Sequence, residues 1–214
     1  MKQKTLLVVD VQNEFCHPDG FFAKNFCGCN PEGFFGKDKL TTQSIDDVVD
    51  NIEGAIEHFR NRSLSVIYVK GMSDQQYLSE SRFGRYKQMY EQGFLKDGTF
   101  GTDFYRVSPE AGELVFKKGA YNPFQNSDFK EHILRTALGL VLTGFFSDVC
   151  IDAVTRTADE IDIGIPTEVI ADCSIGLFRP HEENLRFMEM FYGTKIHRTL
   201  SDYILNNNLN GEGR

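Results

Sequence analysis

The sequence predicts an α/β fold: one three-layer αβα sandwich built on a six-stranded parallel sheet, spanning residues 1–206, with 207–214 a frayed tail. Three observations predict it. Short apolar runs alternate with longer stretches of helical period, which implies parallel strands joined by right-handed crossovers. Most of the runs are apolar throughout, as in strands buried on both faces. No internal repeat, low-complexity segment or linker divides the 214 residues, a length that suits one domain.

Residues 5–10, Thr5-Leu-Leu-Val-Val-Asp10, form the first strand, and it ends in a carboxylate. Val11-Gln-Asn-Glu-Phe15 follows it, where a dinucleotide site would need a glycine-rich turn. Residues 16–42 are rich in Gly, Phe and Asn without period and read as a long loop. Helix 44–60 carries one apolar stripe (Ile45, Val48, Val49, Ile52, Ile56 and Phe59), with Ser44 as its cap and Asp47 three residues on. Strand two is 64–69. Residues 71–108 are polar and aromatic, with a helix near 81–92, and are expected to shape a pocket. Strand three is 113–116, followed by Lys117 and Lys118. Helix 127–137 leads into strand four at 138–143. The chain breaks at Gly144 and continues as helix 147–161, with Val149, Ala153, Val154 and Ala158 on one face. Strand five is 166–172 and again ends in an acid. Helix 182–192, strand 195–197 and helix 199–206 complete the order.

The composition excludes several functions. The net charge is −8 and no Lys/Arg run is present, which argues against nucleic acid or an anionic membrane surface. No apolar stretch approaches the roughly 20 residues of a membrane span. Met1-Lys-Gln-Lys-Thr5 leads straight into a strand with no signal peptide, and five cysteines are an odd number. Both point to reduced thiols in a cytoplasmic protein.

Three residues share one edge. Asp10 ends strand one, Lys118 follows strand three, and Cys150 lies on the first turn of the helix after strand four. The carboxyl edge of an open α/β sheet is where ligands bind. A helix start favours a thiolate and can hold an oxyanion. An acid, a cation and a thiol brought into one crevice make a nucleophilic site. Singly, each has a plainer account: a packed core cysteine, a capping aspartate, a solvated lysine.

Leu6-Leu-Val-Val-Asp10-Val-Gln-Asn-Glu-Phe15, Lys118-Gly-Ala-Tyr121-Asn-Pro-Phe124 and Thr143-Gly-Phe-Phe-Ser-Asp-Val-Cys150-Ile-Asp-Ala-Val-Thr-Arg-Thr-Ala158 resemble, in that order, the three motifs of the isochorismatase-like cysteine hydrolases. The resemblance covers nearly the whole chain. It implies a sheet of order 3-2-1-4-5-6 and an Asp10–Lys118–Cys150 triad. Cys150 would attack a carbonyl carbon, Asp10 would move the proton, and Lys118 would anchor Asp10 and depress the thiol pKa. A cis peptide at Phe145–Phe146 would aim the Phe146 and Cys150 N–H groups at the oxyanion. Phe15, Gln12, Tyr121 and Phe124, with Phe146, would contact the substrate. It also implies a homo-oligomer, dimer or tetramer, acting on a small molecule without a cofactor.

Departures narrow the activity. Family members that cleave vinyl ethers lack the cysteine, so its presence favours C–N hydrolysis of an amide or carbamoyl bond. Nicotinamidases carry a histidine-rich metal site after strand two; here Lys70-Gly-Met-Ser-Asp-Gln-Gln-Tyr77 has no histidine, and no metal is expected. Gly101-Thr-Asp-Phe-Tyr105 with Pro109-Glu-Ala-Gly-Glu113 resembles the ureido and carbamoyl hydrolase branch, although the polar residues that bind a carbamoyl group there do not map onto 70–76. Cys27-Gly-Cys29 lacks the second pair that zinc requires. Cys16 and His17 lie close enough in sequence to line the site. Cys173 and Asp172 follow as a core thiol and a strand-end acid. Two other functions compete: a non-catalytic binding or assembly module, and a thiol-redox sensor pairing Cys150 with Cys16 or Cys173 within disulfide reach.

Overall fold

The structure is a computed structural model, and it describes residues 2–21, 24 and 42–209. Six parallel strands form the sheet: β1 (Gln3–Val9), β2 (Ser65–Gly71), β3 (Leu114–Lys118), β4 (Ala137–Phe145), β5 (Thr167–Ile175) and β6 (Lys195–His197), in the order β3-β2-β1-β4-β5-β6. The expected order holds. β1 is central, with Val9 opposite Val69 of β2 and Gly144 of β4.

Alternate residues of the strands feed two apolar layers. Leu6 and Val8 face one and Leu7 and Val9 the other, all fully buried. Each such side chain contributes about 1.5–3 kcal/mol relative to exposure. The first layer is closed by helix α2 (Thr42–Asn61), through Ile45, Val49, Ile52 and Phe59, and by the last helix, through Tyr203. The short α1 (Asn13–Cys16) adds Cys16 to it. Helix α3 (Glu80–Glu91) buries none of its residues fully and stands outside both layers. The second layer is closed by α4 (Ser127–Thr136), α5 (Asp152–Glu160) and α6 (His181–Tyr192), through Phe129, Val154 and Leu185.

Several boundaries differ from the sequence expectation. α2 starts at Thr42, so Ser44 lies inside its first turn and is not the cap. The single helix expected at 147–161 is two pieces: a π-helical turn, Ser147–Ile151, and then α5. The Phe146 carbonyl accepts the N–H of Ile151, a five-residue span that widens the turn. β5 runs to Ile175, so Asp172 is inside the strand and not at its end. Asp172 accepts the Leu200 N–H and so starts α7 (Leu200–Leu209). That helix continues to Leu209, past the expected tail boundary at Asn206. Asn207 holds it down by accepting from Lys4 Nζ at 2.9 Å.

Candidate active site

Asp10 lies just beyond β1 at φ 55°, a left-handed conformation uncommon for a residue with a side chain. Its N–H donates to the Val69 carbonyl at 2.9 Å, and its carbonyl accepts from Gln12 at 2.8 Å. Such a backbone persists where the surroundings over-determine it, and functional sites are where it clusters. Lys118 is the last residue of β3, two strands away. Its register partner on the intervening strand is Gly71. A side chain at Gly71 would start 3.3 Å from Asp10 Oδ1. The glycine therefore leaves the path along which Lys118 crosses β2.

Lys118 Nζ lies 2.7 Å from Asp10 Oδ2 and 3.3 Å from Cys150 Sγ. All three residues are buried. Asp10 Oδ1 has no hydrogen-bond partner among the described residues. Burial works against the Lys118 ammonium, but Asp10 and Cys150 outweigh it and raise its pKa. The Cys150 thiol is pushed well above the ordinary range, by burial first and by the Asp10 charge second, with Lys118 opposing. The expected depressed thiol pKa is thus reversed. Sequence spacing located the cation beside the sulfur, but it could not weigh burial and a second, negative neighbour.

The cluster opens into a cavity of about 290 Å³. Phe15, Tyr121 and Phe146 line it. Gln12 and Phe124 do not. The Gln12 amide is consumed in bracing the edge: Nε2 donates to the Gly71 and Thr102 carbonyls at 3.2 and 3.3 Å, and Oε1 accepts the Gly71 N–H at 2.7 Å. Phe124 packs into the second apolar layer against Phe129, with ring centroids 5.1 Å apart. Cys16 belongs to the first layer, and the His17 ring packs edge-on to Phe100 and Tyr105, away from the cavity wall. Cys27 and Cys29 lie outside the described residues. The Phe145–Phe146 peptide bond is cis. At Gly144, φ is +114° and an added Cβ would stand 2.0 Å from the Val9 carbonyl oxygen, so only glycine lets β4 approach β1 here.

Sequence reasoning missed the residues that hold the Cys150 turn. The Asp148 carboxylate accepts three successive N–H groups, from Leu177, Phe178 and Arg179, at 2.8, 2.7 and 2.9 Å. This fastens the loop after β5 over the cavity, whose wall includes Leu177 and Phe178. His181 Nε2 meets the Ala171 carbonyl at 3.0 Å and so carries the proton, leaving Nδ1 to accept from the Ser147 hydroxyl at 2.8 Å. Burial lowers its pKa, which favours the neutral ring. Asn184 donates to the Ser147 carbonyl at 2.7 Å. The sequence offered one weak signal, an acid two residues before the cysteine; the other partners come from a helix more than thirty residues away.

Among the described residues no group of three or more His, Cys, Asp or Glu could hold a metal ion, and no helix is long and apolar enough to cross a membrane. The sheet order and a buried Asp–Lys–Cys cluster on its carboxyl edge define an isochorismatase-like hydrolase fold. The isochorismatase domain matches residues 4–199, and the chain belongs to that family. It is 27% identical over 169 residues to the uncharacterized isochorismatase family protein YddQ of Bacillus subtilis, covering 78% of this chain and 74% of that protein. An isochorismatase family protein of Desulfovibrio vulgaris superposes with a TM-score of 0.73 at 20% identity, over 98% of this chain and 99% of that one. N-carbamoylsarcosine amidase of Thermoplasma acidophilum superposes with a TM-score of 0.67 at 22% identity, over 92% and 96%.

Proposed function

We propose that the protein is a cysteine-dependent hydrolase of a C–N bond in a small amide or carbamoyl compound. The observation that carries this is the 2.7 Å and 3.3 Å contacts joining Asp10, Lys118 and Cys150 at the floor of a cavity. The resemblance in fold to an amidase supports the same chemistry.

Burial and the Asp10 charge raise the Cys150 pKa and so favour the thiol, which gives Asp10 its task. As Cys150 Sγ bonds to the carbonyl carbon, the thiol proton passes to Asp10. The carbonyl π electrons move to oxygen, and the N–H groups of Phe146 and Cys150 receive that charge; losing one such donor typically costs roughly 100- to 1000-fold in turnover. The tetrahedral adduct collapses, Asp10 returns the proton to the nitrogen, and the C–N bond breaks. A thioester on Cys150 remains. Water attacks it, Asp10 takes the water proton, and the acid leaves as the thiol is restored. Lys118 keeps Asp10 oriented and stabilises each state in which the sulfur is anionic.

The redox-sensor alternative loses support because Cys16 and Cys173 belong to one apolar layer and Cys150 to the other. The proposal is tested with a panel of primary amides, ureido acids and carbamoyl compounds, assayed for ammonia release with Cys150→Ala as control. Release that the alanine variant abolishes is the expected result. Release unaffected by it would show that Cys150 is not the nucleophile or that a contaminant carries the activity.

A further inference from the structure

Among the described residues the cavity wall is almost wholly carbon. Phe15, Met72, Phe94, Leu95, Phe146 and Leu177 are among the apolar side chains that line it. The rings are ordered: Phe15 meets Phe94 and Phe146 edge-on at 6.5 and 5.9 Å, and Tyr86 stacks on Phe94 at 6.4 Å. The polar side chains on the wall are nearly all committed. Asp10, Lys118 and Cys150 hold one another. The hydroxyls of Tyr86 and Tyr121 bond to each other at 2.9 Å. Ser73 adds one small hydroxyl. No second cation lines the cavity among the described residues: the Arg82 guanidinium lies over the Tyr121 ring at 5.5 Å but is not part of the wall.

We infer that this site takes an amide whose acyl side is neutral and apolar, a single ring or a short branched chain, and rejects ureido and amide substrates that carry a carboxylate. The inference rests on the amidase function proposed above and sets its substrate class. A substrate carboxylate would be stripped of water against phenylalanine, methionine and leucine, with no free cation among the described residues to meet it, and burying an unpaired charge is strongly unfavourable. The one ammonium that lines the wall among the described residues, that of Lys118, already serves Asp10, and Asp10 itself repels an anion. A neutral ring instead continues the edge-on packing of Phe15 and Phe94. The cavity volume stands at the small end of ligand sites, about 300–1,000 Å³, which limits the acyl group to that size.

The test uses isosteric pairs that differ only in charge: 4-methylpentanamide against succinamate, 4-isopropylbenzamide against 4-carbamoylbenzoate, and isobutylurea against N-carbamoylglycine. Binding to the Cys150→Ala protein is measured by calorimetry, and ammonia release by the native enzyme gives kcat/KM. The neutral member of each pair is expected to bind and react at least about 100-fold better. Equal or tighter binding of the acid members overturns the inference, as does failure of every neutral member to bind. Tight binding of the neutral amides without ammonia release would leave the inference standing and sink the amidase function instead.

Discussion

Asp10→Asn is expected to make Cys150 a stronger acid and a faster target for alkylation, even as it removes activity. The Asp10 carboxylate and the Cys150 sulfur lie on Lys118 Nζ at 2.7 and 3.3 Å, so they stand no more than about 6 Å apart. At that separation a unit charge is worth about 3 kcal/mol with an effective dielectric constant near 20, which is roughly 2 pH units of a neighbour's titration. The sign follows from the charge: a carboxylate disfavours the thiolate, and its removal leaves the lysine unopposed. The assay is the rate of Cys150 carbamidomethylation by iodoacetamide against pH, resolved by peptide mass spectrometry. The native protein should show its midpoint above the ordinary thiol range. Asp10→Asn should show it roughly 2 units lower, with about 100-fold faster labelling at neutral pH. A midpoint that stays put or rises in the variant would refute the assignment of Asp10 as the charge that holds the proton on sulfur.

Other consequences follow from the same contacts. Lys118→Met leaves a buried carboxylate unpaired and should cost about 3–5 kcal/mol, seen as a melting temperature lower by roughly 6–20 °C in calorimetry; a change under about 1 kcal/mol would mean the pair is solvated. Burial works upward on the Glu168 carboxyl, but His197 at 2.7 Å and Lys4 at 2.6 Å outweigh it and hold its pKa at about 2. Its contribution is therefore complete above the unfolded carboxylate range and lost as pH falls from about 4.5 towards 2, roughly 3 kcal/mol at most. Urea titrations of Glu168→Gln should lack that acid slope. Asp148→Ala strands the N–H groups of Leu177, Phe178 and Arg179 and should cost about 2–3 kcal/mol. Because Leu177 and Phe178 form part of the wall, KM should rise more than kcat falls; an unchanged KM would show that the loop is held by other contacts.

The sheet was legible because its central strands are buried on both faces and carry unbroken apolar runs, as in Leu6-Leu-Val-Val9 and Leu140-Val-Leu142. Their order was not readable from periodicity; it came from the resemblance of three motifs, and the strand pairing agrees with it. Asp10, Lys118 and Cys150 were legible because strand ends point to one edge. The placement of Gln12 and Phe124 was misjudged for a physical reason. A buried amide with two donors and an acceptor serves any gap among backbone groups, and three fell within its reach. A phenylalanine beside a motif packs wherever apolar volume is open. The thiol's proton affinity was misjudged because it depends on burial and on the distance to Asp10, neither of which spacing encodes. Gly71 was invisible as a site residue, since its role is to have no side chain between Lys118 and Asp10.

The most direct test of the central claim is acid-quenched intact-mass spectrometry during turnover of a neutral amide by the native protein and by Cys150→Ala. The proposed mechanism predicts an adduct of the acyl group's mass that maps to Cys150, disappears as substrate is exhausted, and is absent, together with ammonia release, in the alanine variant. Sustained ammonia release by Cys150→Ala would contradict it.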